Sequence, residues 1–371
     1  MISSTGSVER ARDGGVGPGI HQVLVGASPG DAITNVAFGI QRLLHEVVPS
    51  EIFAHHVSPS LHGKVRGLGE YRPRHARNVL IVHASIGHAA VHQFLMERDE
   101  PLVLMYHNVA PASYYERYDA DFAEALAFGR RAVELLKPQV ACALADSQFN
   151  ADELAGIGYR DVRILPPIVD LDRVTKTEAN ESTSNYLGGF DGEILLSVGQ
   201  LLPHKRPDFL VEMAHIGATY LDMHPFLLLV GHHRLEGYTK AIRDQVRELS
   251  LERVHVVGAV SESDLAAMFR SAAAVVTASE HEGFCVPLVE AMAIGKPVVA
   301  RACAAIPETV GDAGLLLPPE HGPTYFAEAI AELMANAPLH AHLVERGHAR
   351  VAALEESAPE VAILEALLEV V

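Results

Sequence analysis

The residues of this chain best suited to chemistry lie in Ser279–Ala300, SEHEGFCVPLVEAMAIGKPVVA. Glu282 and Glu290 stand eight positions apart, with the turn Gly283-Phe284-Cys285 between them. A helix beginning near Val286 would aim free backbone N–H groups and the positive end of its dipole at whatever precedes it. That is a phosphate site in waiting. Glu282, on the approach loop, can accept hydrogen bonds from hydroxyls, and Glu290, about one turn into the helix, can reach a second set. Two acids flanking an anion site suit a ligand with sugar at one end, ribose at the other and diphosphate between. The competing reading is two ordinary surface carboxylates.

A second segment, Ser197–Pro207 (SVGQLLPHKRP), ends a strand at Val198, turns at Gly199 and places Lys205 in a loop before a helix. A lysine there can be a point charge for a diphosphate, though read alone a solvated loop residue is the simpler account. His83 and Ser85 follow a predicted strand and either line a cleft or form a strand-end turn. The chain has 21 histidines. His88 and His92 are at i, i+4, and His55–His56 and His232–His233 are adjacent, but no third ligand is spaced to complete a zinc motif. No metal is expected. Gly30 and Gly39 do not make a GxGxxG fingerprint, so a nicotinamide cofactor is not indicated.

The elements that must hold these residues alternate between strands and helices. Strands are predicted over His21–Ala27, Ile52–His56, Val79–His83, Leu102–Tyr106, Val140–Ala145 and Arg163–Leu165. Helices are predicted over Ala32–Val47, Ala89–Met96, Ala120–Leu136 and Asn150–Ala155. After a polar stretch at 171–190, read as a linker, alternation restarts at Ile194–Val198 and runs to Leu315–Leu317, followed by helices at Tyr325–Ala335, His340–Leu354 and Val361–Val371. Continuous apolar runs such as VLIVH and LVLMY are those of buried parallel strands. The expected fold is therefore α/β, two Rossmann-like, doubly wound domains facing a central cleft. The expected division is a flexible lead-in at 1–19, a domain at 20–170, the linker, a domain at 191–354 and a terminal helix at 355–371. That helix either crosses back onto the first domain or packs in a homodimer.

Composition bounds the partners. With 371 residues, 29 Lys+Arg and 47 Asp+Glu, the chain is long enough for two cores and carries a net charge of −18. That argues against nucleic acid or an anionic membrane as the main partner. Residues 1–170 hold 15 basic and 19 acidic residues; residues 171–371 hold 14 and 28. The one basic stretch is Lys64, Arg66, Arg72, Arg74 and Arg77, either a solvated face or a patch for an anionic acceptor. Cys142, Cys285 and Cys303 are too few and too scattered for a disulfide framework. No apolar run reaches a membrane span and no signal-peptide core is visible, so a cytoplasmic location is expected.

Taken together, these segments resemble glycosyltransferase family 4, the retaining nucleotide-sugar transferases of GT-B fold in bacteria. The likeness rests on "VGxL…HK" (Val198, Gly199, Leu201, His204, Lys205), "GHH" (Gly231, His232, His233), "VVGAVSESDLAAMF", "EGFCVPLVEAMAIGKPVVA" and "IPETVGDAGLL", in order across residues 198–316. "GDAITN", "HASIG", "YHNVAPASYY" and "ADSQFNADEL" look like the matching pieces of the first domain.

The resemblance implies a hexosyl transfer from a UDP- or GDP-linked sugar to a hydroxyl acceptor, without a metal. A soluble acceptor is favoured over a lipid one. The alternatives are an epimerase or hydrolase of the same fold, or a non-catalytic nucleotide-sugar binder. By the same resemblance, Glu282 holds donor-sugar hydroxyls, Glu290 the ribose and Lys205 the diphosphate. Backbone N–H groups around Phe284, Cys285, Val286 and Leu288 face sugar and diphosphate. His107 lies near the reacting sugar, and Gly30 lets the acceptor domain approach. Gly231, His232 and the loop Gly258–Glu262, with Val260 and Glu262, form the base pocket. Asp31, His83, Ser85 and Asn108 border the acceptor cleft. Two positions depart from the pattern. Gln200 stands where the family often has Arg, shifting leaving-group stabilisation to Lys205, the helix start and Arg206, where many members have Gly. Cys285 also replaces a common Gly, so its Cβ narrows the pocket or demands a negative φ.

Overall fold

The computed structural model describes residues 17–371. Of the predicted lead-in, residues 1–16 lie outside this range. The first sheet is built from β1 (Ile20–Ala27), α1 (Ala32–His45), β2 (Ile52–Val57), β3 (Arg66–Gly67), β4 (Val79–Ala84), α2 (Ala89–Met96), β5 (Leu102–Tyr106), α3 (Ala120–Leu136), β6 (Val140–Ala145), α4 (Gln148–Gly156) and β7 (Arg163–Ile164). Its seven strands are parallel, in the order β3-β2-β1-β4-β5-β6-β7. Every residue of β4 and β5 is buried, which is why they read as unbroken apolar runs.

Residues 171–190, read from the sequence as the linker, contain α5 (Asp172–Thr175) and α6 (Glu181–Gly188). Asn180 caps α6 by accepting from Thr183 N–H. Val174 and Leu187 supply just enough apolar surface to seal both helices onto the second core. Arg173, Thr183 and Ser184 are half-buried, and Thr183 Oγ1 donates to the Asp264 carboxylate, so polar contacts also hold the segment to the second unit.

The second sheet comprises β8 (Ile194–Val198), α7 (Pro207–Tyr220), β9 (Phe226–Val230), α8 (Glu236–Glu248), β10 (Val254–Gly258), α9 (Glu262–Ser271), β11 (Ala274–Thr277), α10 (Val286–Ala293), β12 (Val298–Arg301), α11 (Ile306–Val310) and β13 (Gly314–Leu317). Six parallel strands run in the order β10-β9-β8-β11-β12-β13. The chain closes with α12 (Pro323–Ala335), α13 (Ala337–Glu356) and α14 (Pro359–Leu368). Helix α14 leaves the second unit: its Ile363, Ala366 and Leu367 are buried against Ile20, Val36, Ile40 and Leu44 of the first.

The basic stretch does not line the cleft. Arg66 on β3 pairs with Glu51 at 2.8 Å and Glu70 at 3.4 Å. Arg72 donates to the carbonyls of Gly69 and Tyr71. Arg74 borders a cavity with Gly19, Pro49, Glu51 and Asn78, at the amino ends of β1, β2 and β4. In a parallel sheet the cleft lies at the opposite, carboxyl ends. Lys64, Arg72, Arg74 and Arg77 are exposed, so of the two readings the solvated face fits this placement.

Candidate active site

At the carboxyl end of the second sheet, β8, β9 and β10 give way to loops that are tied together. Gly199 N–H donates to Val230 O, Gly231 N–H to Gly258 O and Leu201 N–H to His232 O. Gly231 is obligatory here, since a Cβ would lie 1.9 Å from the Gly199 carbonyl oxygen. His232 and Glu262 are exposed, and Val260 packs on the second core. The predicted base-pocket residues therefore share one rim. Ser197, Gly199, Gln200, Lys205 and Ser279 line a small pocket beside it. Gln200 is exposed.

The start of α10 has the features of an anion site. Pro287 has no N–H, and Leu288 N–H is spent on the Cys285 carbonyl at 3.1 Å. Among the described residues, no carbonyl or side chain accepts from the N–H groups of Phe284, Cys285 and Val286. Lys205 Nζ and Glu282 Oε1 meet at 2.5 Å, their side chains 27% and 9% exposed. Burial works against the Lys205 ammonium, but Glu282 and Cys285 outweigh it and hold Lys205 above its ordinary value. Lysine is therefore charged here and directed at the approach loop.

Glu290, 2% exposed, lies 3.1 Å from Arg173 Nε, yet neither atom is in a well-aligned hydrogen bond. Burial raises its carboxyl above the usual range despite Arg173. A buried carboxylate oxygen without an aligned donor is poised to accept from hydroxyls.

Cys285 settles one departure from the family pattern. It caps α10 at φ 75°, ψ 62°, so the backbone keeps a glycine-like left-handed turn despite its Cβ. Of the two alternatives left by the sequence, the negative φ is not adopted. The next loop does the same: Arg206 sits at φ 52°, ψ 47° before α7. Its guanidinium bonds Asp208 and Glu280, with Nη2–Oδ2 at 2.9 Å. Those carboxylates occupy the donors that were expected to face a phosphate, so Arg206 braces the loop.

On the facing domain, His107 anchors a buried polar chain. Gln22 Nε2 donates to the Ala37 carbonyl, so Gln22 Oε1 accepts from His83 Nε2 at 2.8 Å. His83 Nδ1 then accepts from His107 Nε2 at 2.8 Å, and His107 Nδ1 is hydrogen-bonded to Asp146 Oδ2 at 2.8 Å. Burial, then His107, hold His83 far below its ordinary pKa, so it stays neutral. Both His107 nitrogens are thus engaged and its side chain is 2% exposed. The ring is not presented as a proton acceptor, and His83 is internal to the domain. The sequence reading missed Gln22 and Asp146. Asp146 was findable, because it follows β6 as His107 follows β5.

The other residues expected at the acceptor cleft have structural tasks. Asp31 caps α1, accepting from Thr34 N–H and Oγ1 at 2.9 and 2.8 Å. Asn108 donates to Asn150 and Glu153 and accepts from His281 Nε2 at 2.5 Å. Ser85 is half-buried at the end of β4. Gly30, at φ 74°, is exposed, and a Cβ there would meet nothing.

The two halves touch at the site itself. A Cβ on Gly283 would lie 2.7 Å from His107 O. Tyr115 Oη donates to His204 Nδ1 at 2.6 Å, and Gln148 N–H donates to the Glu308 carboxylate. Arg234 stacks over the Phe122 ring at 3.9 Å.

Sequence comparison places this geometry. Residues 189–350 match the family model Glycosyl transferases group 1. The matched residues hold Lys205, Glu282 and Glu290. Among curated relatives, the D-inositol 3-phosphate glycosyltransferase of Mycobacteroides abscessus is 31% identical over 201 residues, covering 52% of this chain and 44% of its own. The mannosylfructose-phosphate synthase of Agrobacterium fabrum is 29% identical over 150 residues, covering 39% and 33%. The chain spans about half the length of the first curated relatives it matches. Solved structures share the GT-B fold over nearly the whole chain. Sucrose-phosphate synthase from Thermosynechococcus elongatus gives a TM-score of 0.74 at 20% identity, covering 95% of this chain and 98% of that one. Anabaena HepE in complex with UDP and glucose gives 0.76 at 18% identity, covering 95% and 100%.

Proposed function

We propose that the protein is a retaining glycosyltransferase of family 4 type, moving a hexosyl unit from a UDP- or GDP-linked sugar to a hydroxyl acceptor without a metal ion. The observation that carries this is the row of unpartnered N–H groups at Phe284–Val286, with Lys205 beside it and the under-bonded Glu290 one turn on. Diphosphate fits the first two and ribose hydroxyls the third. The family match over 189–350 and the UDP and glucose held by the similarly folded HepE support the same reading.

The bond from the anomeric carbon to the diphosphate breaks with oxocarbenium character, and charge grows on the leaving group. Lys205 and the α10 amides stabilise that charge from fixed positions. Glu282 releases Lys205 to the phosphate and takes sugar hydroxyls instead. The acceptor hydroxyl attacks from the leaving-group face and passes its proton to the departing phosphate oxygen. His107, locked between His83 and Asp146, positions the 107–108 turn against Gly283. Closure of the two halves excludes water. We place the reaction in the cytoplasm, where the three free cysteines stay reduced, and favour a soluble polyol or sugar acceptor.

The test is turnover of UDP- and GDP-hexoses in EDTA, with and without hydroxyl acceptors, with the product anomer read by NMR. Lys205→Ala alone strands buried Glu282, which costs about 3–5 kcal/mol of stability. The informative variants are therefore Lys205→Met/Glu282→Gln, expected to abolish transfer while melting cooperatively, and Glu290→Gln. The latter loses charge-assisted bonds of about 1.5–3 kcal/mol, so nucleotide affinity falls roughly 10- to 100-fold. Near wild-type turnover in the double variant overturns the proposal. Donor conversion independent of any acceptor would favour the epimerase or hydrolase reading.

A further inference from the structure

The first domain carries a histidine cluster that the transfer reaction does not use. His55 and His56 end β2, and His88 caps α2 just after β4. Strand β1 lies between β2 and β4 in the sheet. Its residue paired with His56 is Gly26, which has no side chain to stand between them. The imidazole rings converge: His55 and His88 have centroids 4.0 Å apart, His55 and His56 4.4 Å, and His56 and His88 5.5 Å. One ligand nitrogen from each lies within 4.8 Å of the others. It is the only such group of three or more potential ligands among the described residues.

We propose that His55, His56 and His88 form a binding site for a divalent transition cation of the Zn²⁺ class, with a fourth position open to solvent. Tetrahedral Zn–N bonds of about 2.0–2.1 Å put ligand nitrogens roughly 3.3–3.4 Å apart. The donor set is imidazole alone, which selects Zn²⁺, Cu²⁺ or Ni²⁺ over Mg²⁺ or Ca²⁺. His88 Nδ1 accepts from Ala90 N–H at 3.3 Å. That is a long cap bond, and ligation through either ring nitrogen gives it up. His56 is exposed while His55 and His88 are half-buried, so the open position faces water. The cluster stands at the carboxyl ends of β2 and β4, the rim that also carries Gly30 and His107. The site shares no residue with the donor-binding loops, and the metal-free transfer proposed above does not depend on it.

The experiment uses untagged, full-length, metal-stripped protein. Zn²⁺ is titrated in competition with a chromophoric chelator, and Co²⁺ is used as a spectroscopic probe. The expected result is one Zn²⁺ per chain at submicromolar Kd, with Co²⁺ giving the strong visible bands of a four-coordinate ion. His56→Ala/His88→Asn keeps a capping side chain at position 88 and should weaken binding at least ~100-fold. That variant should melt in EDTA as the wild type does. Weak, multiple-site binding by wild type with only the faint spectrum of octahedral Co²⁺ overturns the proposal. So does tight binding that the variant retains, which would assign the metal to other histidines such as His232–His233.

Discussion

Cys285 holds a backbone conformation that its side chain disfavours. At φ 75° a Cβ costs about 1–2 kcal/mol relative to glycine. Burial, then Glu282, hold the thiol far above its ordinary pKa, so it is neither a nucleophile nor an easy target for alkylation. Glycine would remove the strain but adds freedom to the unfolded chain worth somewhat less. Cys285→Gly is therefore expected to leave the urea midpoint unchanged or raise stability by up to about 1 kcal/mol. Cys285→Val, β-branched in a left-handed turn, should lose about 2 kcal/mol or more. If valine is tolerated as well as glycine, the turn is not the constraint described here. The residue types brought together here were legible in the sequence: two acids, a lysine and a helix start. Their present pairing was not. Nothing in the spacing says that Arg206 turns to Asp208 and Glu280, or that Arg173 approaches Glu290, because those contacts depend on loops meeting in space.

Among the elements, strands were easiest to read. β5 and β6 match their predicted bounds: β5 is buried and apolar along its whole length, and β6 is an apolar run buried over its last three residues. The five-residue α11 was missed because Pro307 stands inside it, at a first-turn position that proline tolerates. Least legible was the seam between the halves, which is built from histidines. Burial, as the first cause in each case, holds His204 and His281 below their ordinary value of 6.5. A base with a depressed folded pKa contributes stability above its unfolded pKa and loses it as pH falls further. Stability should therefore drop below pH 6.5, as the unfolded chain takes up protons that these rings refuse. His204→Asn keeps an acceptor for Tyr115 but does not titrate. It should be less stable than wild type at pH 7.5, with a shallower loss between pH 6.5 and 5.5 in urea titrations. An unchanged slope would remove His204 from this account.

Across the whole molecule, α13 and α14 form a strap. Gly347 of α13 lies so close to α10 that a Cβ would be 3.3 Å from Met292 Cβ. The chain then crosses to the first domain, where Leu367, fully buried, packs among Ile20, Ile40 and Leu44. The helix that begins the anion site is thereby coupled through α13 to α1 of the facing domain. The sequence left this open, because an amphipathic terminal helix can cover its own chain or a second copy equally well. Leu367→Ala removes a buried side chain and should cost about 2–5 kcal/mol. Leu368→Ala, at a position 39% exposed, should stay within about 0.5 kcal/mol of wild type. Hydrogen exchange should accelerate in β1 and α1 of the Leu367 variant and not in β8 or β9. Nucleotide affinity should hold, since the proposed site lies in the second domain, while transfer slows because the first domain no longer seats against Gly283. Equal effects of the two substitutions would mean that α14 is not docked as described, and the strap would have to be abandoned.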